Sequence, residues 1–145
     1  MVQDFMKINH KNIFFHHTGI VTKDIELSKE FFLNLGYNAS TTFKDEPQGS
    51  FIVVLKKASS STIELISPMN EHSPSYGWLK RIGGGAYHIC FEIKDANLVD
   101  GIDYFKSLNF TPISKPTLSP AFNGASVVFL WGSEGGLIEL LGFMP

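Results

Sequence analysis

The sequence predicts an α+β fold built from two βαβββ modules in one chain. Three observations carry that reading: a motif written twice, the same succession of apolar periodicities inside each copy, and a Pro/Gly-punctuated connector between the copies. His17-Thr18-Gly19-Ile20-Val21-Thr22-Lys23-Asp24 aligns with His88-Ile89-Cys90-Phe91-Glu92-Ile93-Lys94-Asp95, 71 residues later, with His, Lys and Asp coinciding. Leu33-Asn34-Leu35-Gly36-Tyr37 aligns with Lys106-Ser107-Leu108-Asn109-Phe110 at an offset of 73. Phe51–Leu55 and Ile63-Glu64-Leu65 align with Ser126–Leu130 and Ile138-Glu139-Leu140 at an offset of 75. Small loop insertions explain an offset that grows in two steps.

In the first copy, Ile13–Ile20 is apolar and β-rich and reads as a strand. Asp24 is a good helix N-cap, because its carboxylate can accept from the free N–H groups of the first turn. Ile25, Leu27, Phe31, Phe32 and Leu35 then recur at helical steps, and Gly36 suits the left-handed position that ends a helix. Strand-like runs follow near 38–43, 51–56 and 61–66. In the second copy, Asp95 is expected to cap a helix marked by Leu98, Ile102, Phe105 and Leu108, with Asn109 ending it. Strands are expected near 111–114, 125–131 and 136–141. Module 1 spans about 12–68, the connector 69–83 and module 2 about 84–143, together a single domain over 1–145. Pro74–Arg81 in the connector can form a short helix with Ser73 as N-cap and Pro74 at N1. Gly83-Gly84-Gly85 has no preceding strand and no following helix, so it is not a phosphate-cradling loop.

Composition narrows the function. At 145 residues, the chain is long enough for a core without staples, and 43% apolar with 18% charged residues is the balance of a folded chain. Twelve Lys+Arg against 14 Asp+Glu give a net charge of −2, so nothing draws the protein toward nucleic acid or anionic lipid. The single arginine, Arg81, weakens any phosphate-clamp reading. One cysteine, Cys90, excludes an internal disulfide and a Cys-only zinc site, and is compatible with a reducing cytoplasm. Met1–Lys11 has no apolar run after its charges and does not read as a signal peptide, and no stretch is apolar enough to span a membrane. The expected setting is therefore cytoplasmic. The 13 Phe, 4 Tyr and 2 Trp read first as core filling.

The repeat sets a histidine on the first strand and a glutamate on the last strand of each half: His17, Glu64, His88 and Glu139. Glu64 and Glu139 lie within Ile63-Glu64-Leu65-Ile66 and Leu137-Ile138-Glu139-Leu140-Leu141. A carboxylate amid such neighbours is costly to bury unless paired, hydrogen-bonded or metal-bound. Taken singly, each of the four reads as an ordinary strand residue. Taken together at matched positions, two imidazoles and two carboxylates point to one divalent ion (Ni, Co, Mn, Fe or Zn) with positions left open for substrate. Of the remaining candidates, Cys90 reads as a small buried hydrophobe, Glu92 as a strand-end carboxylate and His16 as packed on the opposite face. His10 and His72 read as solvated. Trp131 and Phe122 read as core or rim packing, with substrate contact as the alternative, and Tyr87 as structural.

The segments His17-Thr18-Gly19-Ile20 with Lys23-Asp24, Ile63-Glu64-Leu65, His88-Ile89-Cys90-Phe91-Glu92, and Val128-Phe129-Leu130 through Gly136–Leu141 resemble the vicinal oxygen chelate superfamily. Its members include glyoxalase I, methylmalonyl-CoA epimerase, extradiol dioxygenases and antibiotic-resistance proteins. The resemblance covers nearly the whole chain from Ile13 to Gly142. It implies that the paired βαβββ modules form a curled mixed-sheet cleft, a glyoxalase-like fold, and that His17, Glu64, His88 and Glu139 are the metal ligands. Glu64 fills a position that extradiol dioxygenases lack, which points to the isomerase and lyase branch.

Two segments are similar to the methylmalonyl-CoA epimerase branch: the connector from Ser73-Pro74 to Gly85, and Gln48-Gly49 before a strand. A catalytic carboxylate lies near the second segment in that branch. Here the chain reads Asp45-Glu46-Pro47-Gln48-Gly49, so Glu46 is displaced by one place, and whether Glu46 or Asp45 takes part stays open. The chain also departs from the epimerases in having Tyr87-His88 where two histidines are usual. Trp131-Gly132-Ser133-Glu134 replaces a segment that carries a basic residue near CoA. The resemblance implies a metal-dependent epimerase or isomerase that moves a proton next to a carbonyl, with Glu139 and Glu46 as catalytic candidates. It further implies a small-molecule substrate such as an acyl-CoA thioester, and a homodimer. The alternatives are a glyoxalase I-type lactoylglutathione lyase and a non-enzymatic drug-binding protein of the bleomycin-resistance type.

Overall fold

The computed structural model describes residues 7–145. The expectation for the amino terminus rests partly on residues 1–6, which lie outside the described residues. The elements run β1 (Ile13–Val21), α1 (Ile25–Leu33), β2 (Asn38–Ala39), β3 (Phe43–Asp45), β4 (Ser50–Lys56) and β5 (Thr62–Pro68). After them come α2 (Pro74–Ile82), β6 (Gly85–Ile93), α3 (Leu98–Ser107), β7 (Thr111–Pro112), β8 (Thr117–Leu118), β9 (Ser126–Gly132) and β10 (Gly136–Gly142). Each expected βαβββ succession is present, except that two short strands follow each helix: Asn38–Ala39 and Phe43–Asp45 in place of the run near 38–43, and Thr111–Pro112 with an additional Thr117–Leu118 in place of the run near 111–114. The chain divides into two compact units, His17–Tyr87 and the remainder, so the boundaries fall inside β1 and β6.

In the His17–Tyr87 unit, the strand order is β2-β4-β5-β1, with β3 also paired to β4. β1 and β5 run parallel, and the other pairs are antiparallel. Helix α1 covers one face: Val53, Leu55 and Leu65 are fully buried against Ile20, Ile25, Phe32 and Tyr37. Asp24 Oδ1 accepts from the N–H groups of Glu26 and Leu27, both at 3.1 Å, as its position predicts. Gly36 takes φ +91° just beyond the helix, a conformation that disfavours a side chain. The buried row of α1 is narrower than expected. Ile25 and Phe32, seven residues apart, face the sheet, whereas Leu27, Phe31 and Leu35 are exposed. Leu27 lies about 200° around the helix from Ile25, so the two cannot share a face.

Helix α2 has Pro74 in its first turn, as expected, but Ser73 does not cap it through its side chain. Its Oγ donates instead to the Gly49 carbonyl at 2.5 Å. A Cβ at Gly49 would sit 2.7 Å from that hydroxyl, so the close approach requires glycine.

In the other unit, the order is β6-β10-β9-β7, with β8 also paired to β9. β6 and β10 are parallel, repeating the β1–β5 relationship. Helix α3 packs Leu98 and Phe105 onto Val128, Leu130, Ile138 and Leu140, with Ile93 and Ile8 completing the core. Fully burying such side chains contributes roughly 1.5–3 kcal/mol each. The cap of α3 differs from expectation. Asn97, not Asp95, occupies the N-cap, its Oδ1 accepting from the Asp100 N–H at 2.9 Å. Asp95 takes φ +60° in the turn before it. The second copy thus starts its helix two residues later than the repeat suggests, because two residues are spent on that turn. Asn109, φ +69°, follows the helix as expected.

Candidate metal centre

Each half builds one buried His–Glu pair by the same register. In the parallel pair β1/β5, Glu64 lies opposite Gly19, two residues past His17. His17 and Glu64 therefore project from the same face on neighbouring strands. His17 is 0% exposed and Glu64 3%, and His17 Nε2 lies 3.6 Å from Glu64 Oε2. In the parallel pair β6/β10, Glu139 lies opposite Cys90, two residues past His88. His88 and Glu139 are each 3% exposed, and His88 Nε2 lies 3.4 Å from Glu139 Oε1.

These separations test whether a metal suits the pairs. A charge-assisted N–H···O bond is shorter, about 2.7–2.9 Å. Two ligand atoms each about 2.0–2.2 Å from one ion are separated by roughly 2.8–3.1 Å along the edge of an octahedron and roughly 3.3–3.6 Å along that of a tetrahedron. The observed 3.4 and 3.6 Å match the tetrahedral edge and lie beyond the octahedral one. The donor set, imidazole nitrogen with carboxylate oxygen, also suits a first-row divalent ion. The residues present therefore fit a metal. Mixed His/Glu ligation is compatible with several such ions, so the donors select a class and not one element.

The surroundings of the second pair hold it in place. Phe129 pairs in register with Glu139 and meets the His88 ring edge-on, with centroids 5.3 Å apart and planes at 83°. Phe129 lies in the Val128-Phe129-Leu130 run that carries the resemblance, without a role assigned to its own side chain there. Strand alternation around Glu139 was the available signal, since directly paired residues share a face. Cys90 is 0% exposed and packs with Ala125, Val127, Leu141 and Phe122, as a small buried hydrophobe. His16 meets the Phe122 ring edge-on at 4.8 Å. Glu92 lies at the strand end, 3.8 Å from Lys94 Nζ. His10 is exposed, and His72 is exposed beside Glu71. Tyr87 stacks obliquely on Trp78 at 6.1 Å, and Trp131 is 46% exposed.

The two acidic residues before Gln48-Gly49 are treated very differently. Glu46 is 68% exposed at its side chain and pairs with Lys44 at 3.0 Å. Asp45, one residue earlier at the end of β3, is 0% exposed. Its Oδ1 accepts from the Gln48 N–H at 3.3 Å, closing the β3–β4 turn. Among the described residues, no helix is long and apolar enough to cross a membrane.

Comparison with known proteins bears on the same residues. A family model described as the glyoxalase/bleomycin resistance protein/dioxygenase superfamily matches residues 16–129. An ethylmalonyl-CoA/methylmalonyl-CoA epimerase of Cereibacter sphaeroides is 30% identical over 129 residues, 86% of this chain and 94% of the relative. Among solved structures, a Streptomyces coelicolor methylmalonyl-CoA epimerase variant in complex with 2-nitronate-propionyl-CoA superposes with a TM-score of 0.76 at 26% identity. That match covers 90% of this chain and 97% of the other. The Mycobacterium tuberculosis methylmalonyl-CoA epimerase superposes with a TM-score of 0.80 at 20% identity, covering 95% and 93%, which speaks to the fold alone. The matched span takes in His17, Glu64 and His88 and most of both modules, ending before β10, and the chain belongs to the glyoxalase/bleomycin resistance protein/dioxygenase superfamily, with methylmalonyl-CoA epimerases among its relatives.

Proposed function

We propose that the protein is a divalent-metal-dependent epimerase or isomerase that moves a proton at the carbon next to a carbonyl, with an acyl-CoA thioester as its substrate. The observation that carries this reading is the repeated, buried His–Glu pair: His17 with Glu64 and His88 with Glu139. In this reading the four side chains hold one ion, and the two modules act as a single domain, as the family resemblance implies. A homodimer in a cytoplasmic setting belongs to the same reading. The epimerase relatives favour a thioester over the glutathione adduct of a glyoxalase I and over the passive drug binding of a resistance protein.

A bound divalent ion would supply Lewis-acid stabilisation of the charge that develops on the carbonyl oxygen. The remaining work falls to the protein. His17 and His88 present Nε2 toward Glu64 and Glu139 on the neighbouring strands, and the Phe129 ring packs nearly at right angles to the His88 ring. Glu64 and Glu139 bring the two negative charges that balance the ion. Glu139 is the ligand-side carboxylate proposed to take up and return the α-proton. It lies buried on β10, 3% exposed, among apolar neighbours.

Purified protein loaded with Co, Mn or Ni and incubated with methylmalonyl-CoA in D₂O tests the reading. Incorporation of deuterium at the α-carbon, together with interconversion of the two epimers above the chelator-treated control, is the expected result. No exchange with methylmalonyl-CoA and its ethyl homologue would remove the proposal.

A further inference from the structure

We propose that Trp131, together with Phe129 and Ile113, forms an apolar shelf beside Glu139 that receives the alkyl branch on the reacting carbon, so that the chain favours malonyl-type thioesters branched by ethyl or a longer group over methyl. This selection rests on the epimerase reading above and narrows its substrate class. All the residues concerned lie in the unit that carries β9 and β10.

Directly paired residues share a face of the sheet, and so do residues two apart on one strand. Phe129 pairs with Glu139, and Trp131 pairs with Leu137 on one side and Thr111 on the other. Ile113 lies two residues past Thr111, and its N–H donates to the Phe129 carbonyl at 2.9 Å, which continues the pairing beyond β7. Glu139, Phe129, Trp131 and Ile113 therefore stand on one face. The opposite face carries Val128, Leu130, Ile138 and Leu140 and is filled by α3.

The shared face is closed at one end and open at the other. Past Glu139 in one direction, Val127, Leu141 and Cys90 are buried and pack with Ala125 and Phe122. In the other direction, toward the β9–β10 turn, Trp131 is 46% exposed, and Ile113 at the sheet edge is 57% exposed. With the half-buried Phe129 they make a run of apolar side chains that solvent reaches and that ends at a buried carboxylate. Exposed apolar surface that adjoins a polar site marks ligand contact. Among the residues that β7, β9 and β10 direct to this face, Glu139 is the only charged one.

The turn that bears the indole is anchored. A Cβ at Gly132 would come 2.7 Å from Phe110 Cδ1, and one at Gly135 would come 3.0 Å from Cζ, so two glycines let the turn lie against that ring. Gly135 N–H donates to the Gly132 carbonyl at 3.2 Å and closes it. The indole leans toward the start of β10, where a Cβ at Gly136 would meet its Cζ3 at 3.9 Å. A side chain held in this way needs little further ordering when a ligand covers it.

The reacting carbon of a malonyl-type thioester bears a hydrogen, a carboxylate, the thioester carbonyl and an alkyl branch. The two oxygen-bearing groups need the ion or hydrogen-bond donors. The branch alone gains by leaving water for an apolar surface, and the gain grows with each methylene. Phe129 is the direct cross-strand neighbour of Glu139. Trp131 stands at the diagonal, about 7–8 Å away at the backbone and within reach of a long side chain. A methyl group next to the α-hydrogen extends no farther than Phe129, whereas ethyl and propyl groups extend to the indole and toward Ile113.

The test uses single epimers of methyl-, ethyl- and propylmalonyl-CoA with metal-loaded protein. It reads kcat/KM for interconversion and, by calorimetry, the dissociation constants. Wild-type kcat/KM and affinity should both rise by about 4-fold for each methylene added, the gain of burying one CH₂. Trp131→Ala should flatten that rise to less than about 2-fold, and Trp131→Phe, which keeps an apolar ring, should retain most of it. Ile113→Ser, a change at an exposed edge, should reduce the rise in the same sense, so a Trp131→Ala chain that fails to fold still leaves a variant to read. A wild-type chain that handles methylmalonyl-CoA as well as its two homologues would overturn the shelf. So would losses in Trp131→Ala and Ile113→Ser that are equal for all three substrates. Affinity that rises with branch length in a protein that never exchanges the α-proton would instead uphold the shelf and defeat the epimerase reading.

Discussion

Glu139 lies in register opposite Cys90, two residues past His88, and its Oε1 comes within 3.4 Å of His88 Nε2. The same two-residue diagonal joins Glu64 to His17 through Gly19 in the other half. A duplicated parallel strand pair thus creates the pair of ligands twice. What differs between the copies is the residue beneath the diagonal, glycine in one and a buried thiol in the other.

Removing a ligand should remove the metal. His17→Ala, Glu64→Gln, His88→Ala and Glu139→Gln are each expected to weaken divalent-ion binding by more than about 100-fold. Losing an outer partner alone commonly costs 10–100-fold. Elemental analysis after dialysis reads this directly, and full metal content in all four variants would refute the centre.

Chelation should lower stability as well as activity. An ion that binds the native state and not the unfolded one contributes about 2.7 kcal/mol at 100 times its dissociation constant. For a chain of this size that corresponds to a melting temperature lower by roughly 5–15 °C in the apoprotein. Calorimetry before and after adding back Co or Mn should show the loss and its recovery. Equal melting temperatures would argue against a buried metal.

Phe129→Leu separates orientation from ligation. The edge contact with His88 contributes about 0.5–1.5 kcal/mol beyond area burial. The variant should fold, keep one equivalent of metal and release it up to about 10-fold faster to a chromogenic chelator. An unchanged release rate would leave Phe129 as packing only.

The caps give a contrast between the two copies. Asp24→Ala and Asn97→Ala should each lower unfolding free energy by about 1 kcal/mol in urea. Asp95→Asn should be close to neutral, because Asp95 makes the preceding left-handed turn, which asparagine also tolerates. A larger cost at Asp95 than at Asn97 would contradict the observed cap.

Gly101 tests close packing of α3. A Cβ there would meet Ile93 Cγ1 at 2.7 Å. Gly101→Ala should therefore destabilise by about 1–3 kcal/mol despite alanine's better helix propensity. An increase in melting temperature would show that Ile93 can step aside.

By itself the sequence determined the duplication, the order of elements within each module and the four candidate ligands. Those features rest on local periodicity and on residues repeated at matched positions, which a linear text displays. It also favoured the Asp24 cap and the Asn109 end of α3, because capping is decided within one helical turn. Tertiary structure decided what depends on neighbours distant in the chain. Leu27 and Phe31 read as core until the sheet chose the Ile25–Phe32 row. Asp95 read as a cap until two further residues were spent on a turn. Asp45 and Glu46 are adjacent acids that composition cannot tell apart. The pairing of Asp45 with Ser50 turns one into the sheet, out of water, and leaves the other in solvent. The pleat has a period of two, so a single step along the chain reverses the environment of a charge, and the register that sets it is made by strand contacts.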